Sequence, residues 1–284
     1  ANFALFSTLP QRGDLVIHDA LIHASAHDGM RAGRADRAAA AHNNPQAFED
    51  AIVAWRRGGG RGAPWIAVES LYSMDGDRAP LDDLAEIADR HGAYLVVDEA
   101  HATGVFGAGG RGLAAHLDGR PNVITLHTCG KAMGASGALL CLPAAMADFM
   151  VNRGRPFIYA TAPSPLLAAV CRAALQILAE APERRERLQT LARHAGQGLA
   201  ARGLGADSGS QIQPVILGGA ERTMAVAGAL QSQGFDIRGI RPPTVPEGTC
   251  RLRLAITLHV TEAQIDAALD GIAEAVRRID GAGA

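Results

Sequence analysis

Five short runs, at residues 14–17, 65–68, 94–97, 123–126 and 138–142, are apolar almost throughout. A run without polar alternation predicts a strand buried on both faces, because a half-exposed strand would alternate. Between them the period lengthens. Leu81, Leu84, Ile87 and Ala88 recur at helical spacing over residues 80–91, with Pro80 suited to the first turn and Gly92 to the stop. Phe3, Phe6 and Leu9 share that spacing and predict a further helix. Strands interleaved with helices predict an α/β domain with a mainly parallel sheet, helices on both faces and polar residues gathered at the strand ends.

After Pro165 the pattern changes. Two long helices are predicted over 166–180 and 183–202, broken at Pro182. Strands at 212–217, 235–240 and 251–257 follow, with helices at 221–233 and 261–279. This order predicts a smaller C-terminal α+β domain, and the expected division is 1–190 and 191–284. In the strand at 251–257 Leu252, Leu254 and Ile256 alternate with Arg251 and Arg253, so one face should be buried and Arg251 should be a surface charge.

Composition narrows the function classes. With 48% hydrophobic and 20% charged residues in 284, a sizeable core can be buried. A net charge of -2 gives no electrostatic footprint for nucleic acid or an anionic membrane, and 4% aromatics provide few stacking platforms. No apolar run is long enough to span a bilayer. Cys129, Cys141, Cys171 and Cys250 are scattered and form no CxxC, so neither a disulfide scaffold nor a zinc or other metal site is expected, and a reducing cytoplasm is. The chain opens on Ala1 rather than Met, directly in an apolar helical pattern and with no basic-then-apolar leader. The expectation is that a leading segment of the natural protein precedes Ala1.

Three places carry candidate chemistry. The first is Asp98, at the end of a strand, with His101 three residues on. An acid there faces the crevice where open α/β sheets bind ligands. The letters Asp-Glu-Ala-His at 98–101 suggest a nucleotide-driven helicase, but that needs a phosphate loop. The one Gly-Lys pair, Gly130-Lys131, is followed by Ala132 and has Thr125 where the first glycine belongs. The alternative is a capping acid and a satisfied histidine. The second place is Lys131, among small residues between two strands and the only lysine in the sequence. Low-polarity surroundings would favour its neutral amine and Schiff-base chemistry. The third is the proline-stiffened loop 241–246 followed by Arg251 and Arg253, where an arginine fork could hold a carboxylate. The arginine-flanked Gly58-Gly59-Gly60 reads as a surface loop. An acid, a lone amine and a carboxylate-binding arginine suit pyridoxal 5'-phosphate, which needs a lysine for its aldehyde and an acid for its ring nitrogen.

Residues 18–25 (HDALIHAS), 69–77 (ESLYSMDGD), 98–104 (DEAHATG), 128–131 (TCGK), 240–246 (IRPPTVP) and 251–253 (RLR) carry a resemblance over almost the whole chain. The sequence resembles the α-oxoamine synthases, fold-type I pyridoxal-phosphate enzymes. The resemblance implies that Lys131 carries the cofactor and moves the substrate's α-proton, and that Asp98 pairs with the ring nitrogen. His101 and Ser73 would hydrogen-bond the phenolic oxygen and Thr128 the phosphate. Thr244 and Arg253 would face the substrate, Arg253 holding its carboxylate. The implied reaction is a decarboxylating condensation of an amino acid with an acyl thioester in a homodimer. The Arg-Pro-Pro-Thr-Val-Pro stretch favours L-alanine and a pimeloyl thioester, on coenzyme A or a carrier protein, as in biotin synthesis. Members using other amino acids and thioesters remain open: serine palmitoyltransferase, 2-amino-3-ketobutyrate ligase and 5-aminolevulinate synthase. So does a cofactor-free binding subunit, which the joint presence of Lys131, Asp98 and His101 disfavours. Family members have a longer amino-terminal part, with a ring-stacking histidine, a Gly-aromatic pair at the phosphate and an arginine for the acyl group. Ala1-Asn2 matches the residues just after that pair, so the chain as it stands is expected to bind the cofactor weakly.

Overall fold

A computed structural model describes residues 1–282 as two compact units. The first holds Ala1–Tyr72 and Arg78–Pro182, and the second Ser73–Asp77 and, among the described residues, 183–282. The boundary thus falls eight residues before the expected 190/191. The reason lies in the helix that begins the second unit, whose Leu191, Ala195 and Leu199 are buried in that unit's core.

In the first unit the elements run α1 (Asn2–Thr8), β1 (Leu15–Asp19), α2 (Ala24–Ala32), β2 (Asp36–Ala40), α3 (Pro45–Arg57), β3 (Pro64–Glu69), α4 (Leu81–His91) and β4 (Tyr94–Asp98). Then come β5 (Val123–Thr128), β6 (Ala138–Cys141), α5 (Ala144–Arg153), α6 (Arg155–Ile158) and α7 (Pro165–Glu180). The strands form one sheet in the order β2-β1-β3-β4-β5-β6, parallel except for β6. Successive residues of each central strand enter opposite cores. Ile17, Ile66, Val68, Leu95 and Val97 pack with Phe48 and Ile52 of α3 and Leu84 and Ile87 of α4. Val16, Trp65, Ala67, Val96 and Ile124 pack with Leu5 and Phe6 of α1 and Met30 of α2. The uniformly apolar runs are therefore strands covered on both faces, as their composition implies.

Two expectations change, and one strand has no counterpart among them. Sheet edge β2 has no apolar run, because Asp-Arg-Ala-Ala-Ala buries only Ala40. At the other edge, β6 is antiparallel and three of its four residues are exposed, so its apolar sequence does not signal burial on both faces. In α1, Phe3 is exposed while Leu5, Phe6 and Leu9 face the core.

The second unit contains α8 (Pro182–Ala201), β7 (Ile212–Gly218), α9 (Ala220–Ser232), β8 (Arg238–Ile240), β9 (Cys250–Ala255) and α10 (Glu262–Ala282). Its strands are antiparallel in the order β7-β9-β8. Val215, Leu217, Leu252 and Leu254 point to one face and pack with Leu199, Val226, Leu230, Leu269 and Ile272. The opposite face of β9 carries Arg251 and Arg253, and Arg251 is not a surface charge: it is 3% exposed. Residues 73–77 cover it, with the Arg251 guanidinium ion-paired to Asp75 and donating to Thr249 O at 3.0 Å. A strand pattern records which residues share a face but not what covers that face.

Candidate active site

In the first unit, carboxylates sit at the carboxyl ends of neighbouring parallel strands: Asp19 on β1, Glu69 on β3, Asp98 on β4, with Glu99 next to it. All four are buried. The apolar run that makes each strand also carries its terminal acid out of water, so each oxygen needs a donor. For Asp19 burial raises the pKa, but His42 Nδ1 at 2.8 Å with the Asn43 and Leu21 N–H groups outweighs it and leaves the carboxyl below its usual value. Asp98 accepts from the Asn2 amide at 2.7 Å and from the Ala100 N–H at 2.9 Å. Glu99 accepts from Ser70 Oγ at 2.6 Å and from the N–H groups of Leu113 and Ala114, yet burial still holds its pKa above normal.

Glu99 also shapes the chain around it. Gly112 has φ +100°, and a Cβ there would lie 2.5 Å from the Glu99 carboxyl carbon. Gly112→Ala is expected to destabilise the protein by more than about 1 kcal/mol, through positive-φ strain and displacement of Glu99. Thermal melting of the variant beside the wild type measures it.

Glu69 is different. It pairs in register with Asp98, is 2% exposed, and takes the His23 backbone N–H, but its Oε1 has no hydrogen-bond partner. Burial and the neighbouring Asp98 push its carboxyl up to about 8. Glu69 has fewer donors than its neighbours to offset that push.

Thr128 ends β5, the strand beside β4, and its Oγ1 accepts from the Gly130 N–H at 3.4 Å. Lys131 follows in a loop tied by Cys129 N–H to Gly137 O and Ala135 N–H to Cys129 O. The side chain of Lys131 is exposed. This corrects the expectation of low-polarity surroundings: Ala132, Gly134 and Ser136 are too small to cover a lysine. His101 is half-buried in the turn after β4. Asp98, His101, Thr128 and Lys131 therefore share the carboxyl edge of two neighbouring strands.

Ser73, Thr244 and Arg253 belong to the second unit. Arg253 is half-buried, and its Nε donates to Ser73 O at 2.6 Å. Among the described residues that is its one hydrogen bond, which leaves both terminal nitrogens for an anion. Thr244 is exposed in the loop between β8 and β9. A cavity of about 880 Å³ in the first unit lies along β5, β6 and α7, lined by Thr103, His127 and Met133, and contains none of the residues above. Sequence reasoning gives no role to Asn2 or Glu69 and expects Arg251 on the surface. Glu69 carries the signal that singled out Asp98, an acid closing a buried strand, whereas nothing local marks Asn2.

The sequence matches the family of class I and II aminotransferases over residues 1–272. The chain belongs to that family. It is 41% identical over 276 residues to the 8-amino-7-oxononanoate synthase of Anaeromyxobacter dehalogenans, covering 96% of this chain and 68% of that protein. The synthase of the same name from Chromobacterium violaceum is 40% identical over 272 residues, with 95% and 70% covered. Among solved structures, the serine palmitoyltransferase of Sphingomonas wittichii superposes with a TM-score of 0.90 at 28% identity, over 98% of this chain and 70% of that one. The Francisella tularensis 8-amino-7-oxononanoate synthase gives 0.82 at 28% identity, over 98% and 79%. The fold is that of the fold-type I pyridoxal-phosphate enzymes.

The donor set fits this cofactor. One amine, a buried carboxylate held by two donors, and a strand-end hydroxyl are the groups its aldehyde, ring nitrogen and phosphate require. The unpartnered Glu69 oxygen beside Asp98 marks a strand edge whose polar groups are incompletely paired within the chain.

Proposed function

We propose that this chain condenses L-alanine with a pimeloyl thioester, releasing carbon dioxide and the free thiol carrier and forming 8-amino-7-oxononanoate. The observation that carries the reading is Lys131, the sole lysine, placed at the carboxyl edge of the strand neighbouring that of Asp98. Identities near 40% to synthases of that name support it.

Pyridoxal phosphate, when bound, supplies an electron sink for negative charge at the amino acid's α-carbon. Lys131 would hold it covalently, yield to the substrate's amine, and then move the α-proton as general base. Asp98, fixed by Asn2 and Ala100, would keep a proton on the ring nitrogen. His101 and Ser73 would donate toward the phenolic oxygen, and Thr128 would bind the phosphate. The terminal nitrogens of Arg253 would grip the amino acid's carboxylate, and Thr244 would face the substrate. The acyl carrier is coenzyme A or a carrier protein, and the setting is the cytoplasm.

A homodimer belongs to the same reading. Leu166, Val170 and Ile177 of α7 and Phe157 and Tyr159 near α6 are exposed, the last at 73%. Exposed apolar side chains of that size favour a second copy over water.

Serine palmitoyltransferase chemistry is the second reading, favoured by the superpositions at TM-scores of 0.90 to 0.92. Alanine, glycine and serine should each be titrated into the cofactor-loaded protein while its visible spectrum is followed. L-Alanine is expected to give the largest shift, and pimeloyl-CoA then a product of the expected mass. A response to serine with palmitoyl-CoA alone would replace the first reading by the second.

A further inference from the structure

Of the acids along this edge the proposed chemistry uses only Asp98, and one of the other three lacks a full set of donors. Asp19, Asp98 and Glu99 each accept hydrogen bonds at both carboxyl oxygens. Glu69, between Asp19 and Asp98 on the sheet, has an oxygen with none. It is nevertheless connected to Asp98. The His23 N–H donates to Glu69, and His23 Nδ1 contacts Ser25 Oγ at 2.8 Å. The Asn2 amide then donates both to Ser25 Oγ at 3.1 Å and to Asp98 Oδ2 at 2.7 Å. The first turn of α2 and the start of α1 thus tie the two carboxyls together.

We propose that Glu69 is a positioning residue for Asp98. It fills the neighbouring strand end, anchors the His23–Ser25–Asn2 chain, and through that chain holds Asp98 in place for the cofactor ring. The proposal rests on the pyridoxal-phosphate reading of the site.

The groups facing Glu69 set the direction of its titration. Asp98 on β4, Asp19 on β1 and burial disfavour its anion, while Lys131 and the His23 N–H favour it. Tyr72, whose phenol burial pushes upward, lies within electrostatic reach and is neutral throughout the range of interest. The balance keeps the proton on Glu69 up to about pH 8. Above that, a second negative charge repels Asp98 and loosens its grip on the ring.

Glu69→Gln keeps the shape and the hydrogen-bonding groups but cannot ionise, whereas Glu69→Leu keeps only the neutrality. Pyridoxal-phosphate dissociation constants of the wild type and both variants, measured from pH 6 to 9.5, form the test. The wild type is expected to weaken by about three- to tenfold on crossing pH 8, a linkage of about half to one pKa unit. Glu69→Gln should show no such inflection. Glu69→Leu should be weaker by about fivefold at every pH, a deficit that glutamine repairs, as befits the loss of one buried hydrogen bond.

Melting without cofactor gives a second, independent readout. A carboxyl raised from 4.5 to about 8 in the folded state loses stability as pH climbs through that window, because the unfolded chain sheds the proton first. The melting temperature of Glu69→Gln should therefore gain on the wild type from pH 5 to 8 and level off above.

Identical pH profiles for wild type and Glu69→Gln would overturn the proposal, as would a Glu69→Leu variant as good as Glu69→Gln. A wild type that binds no pyridoxal phosphate at any pH would overturn the functional reading, and this proposal with it.

Discussion

Replacing Lys131 by alanine is expected to remove the cofactor's visible band and lower the condensation rate by roughly 10³-fold or more, since a positioned acid–base group alone contributes about 10²- to 10⁴-fold. The chain supplies no substitute, because its other basic side chains are arginines, which do not form the covalent link, and histidines. Lys131 sits in an exposed loop of small residues, so its loss should leave the fold intact and the melting temperature nearly unchanged. Borohydride treatment of the cofactor-loaded wild type should label one peptide, the one containing Lys131. A label elsewhere, or a visible band surviving in Lys131→Ala, would refute the assignment.

The second large effect concerns stability. Asp75→Ala is expected to destabilise the second unit by about 3–5 kcal/mol, the usual cost of stranding one partner of a buried ion pair. Arg251 is 3% exposed and its guanidinium has Asp75 as its one ion-pair partner among the described residues. The carbonyls of Thr249 and Met74 accept from it but do not neutralise it. Removing both groups together, as Arg251→Met with Asp75→Ala, should cost less than Asp75→Ala alone, because no charge is then left buried. Denaturant melts of the single and double variants decide the order. The same contact anchors the segment from which the Ser73 carbonyl holds Arg253, so Asp75→Ala should also raise the KM for the amino acid.

Much of the fold is legible in linear order. The apolar runs that become β1, β3, β4 and β5 are buried on both faces because strands of that composition have no polar face to give to water. The acids that close β3 and β4 are legible for the same reason: a carboxylate at the end of a buried run must stop where the sheet meets the crevice. The lone lysine stands out by count alone. By contrast β2, with its small and charged residues, exists because β1 offers a free edge, and β6 is exposed despite its apolar letters because it closes the sheet.

Residue types and their spacing determined the sheet and its alternation with helices, since these follow from periodicity and the need to bury apolar surface, and they made Lys131 and Asp98 the candidate amine and acid. Tertiary structure alone decided that Arg251 is buried against Asp75, that Asn2 reaches Asp98 across 96 positions, and that Glu69 lacks a donor. Those outcomes depend on which distant backbone covers a face or supplies an N–H, and solvation at a point is a property of the assembled neighbours rather than of any local run of residues.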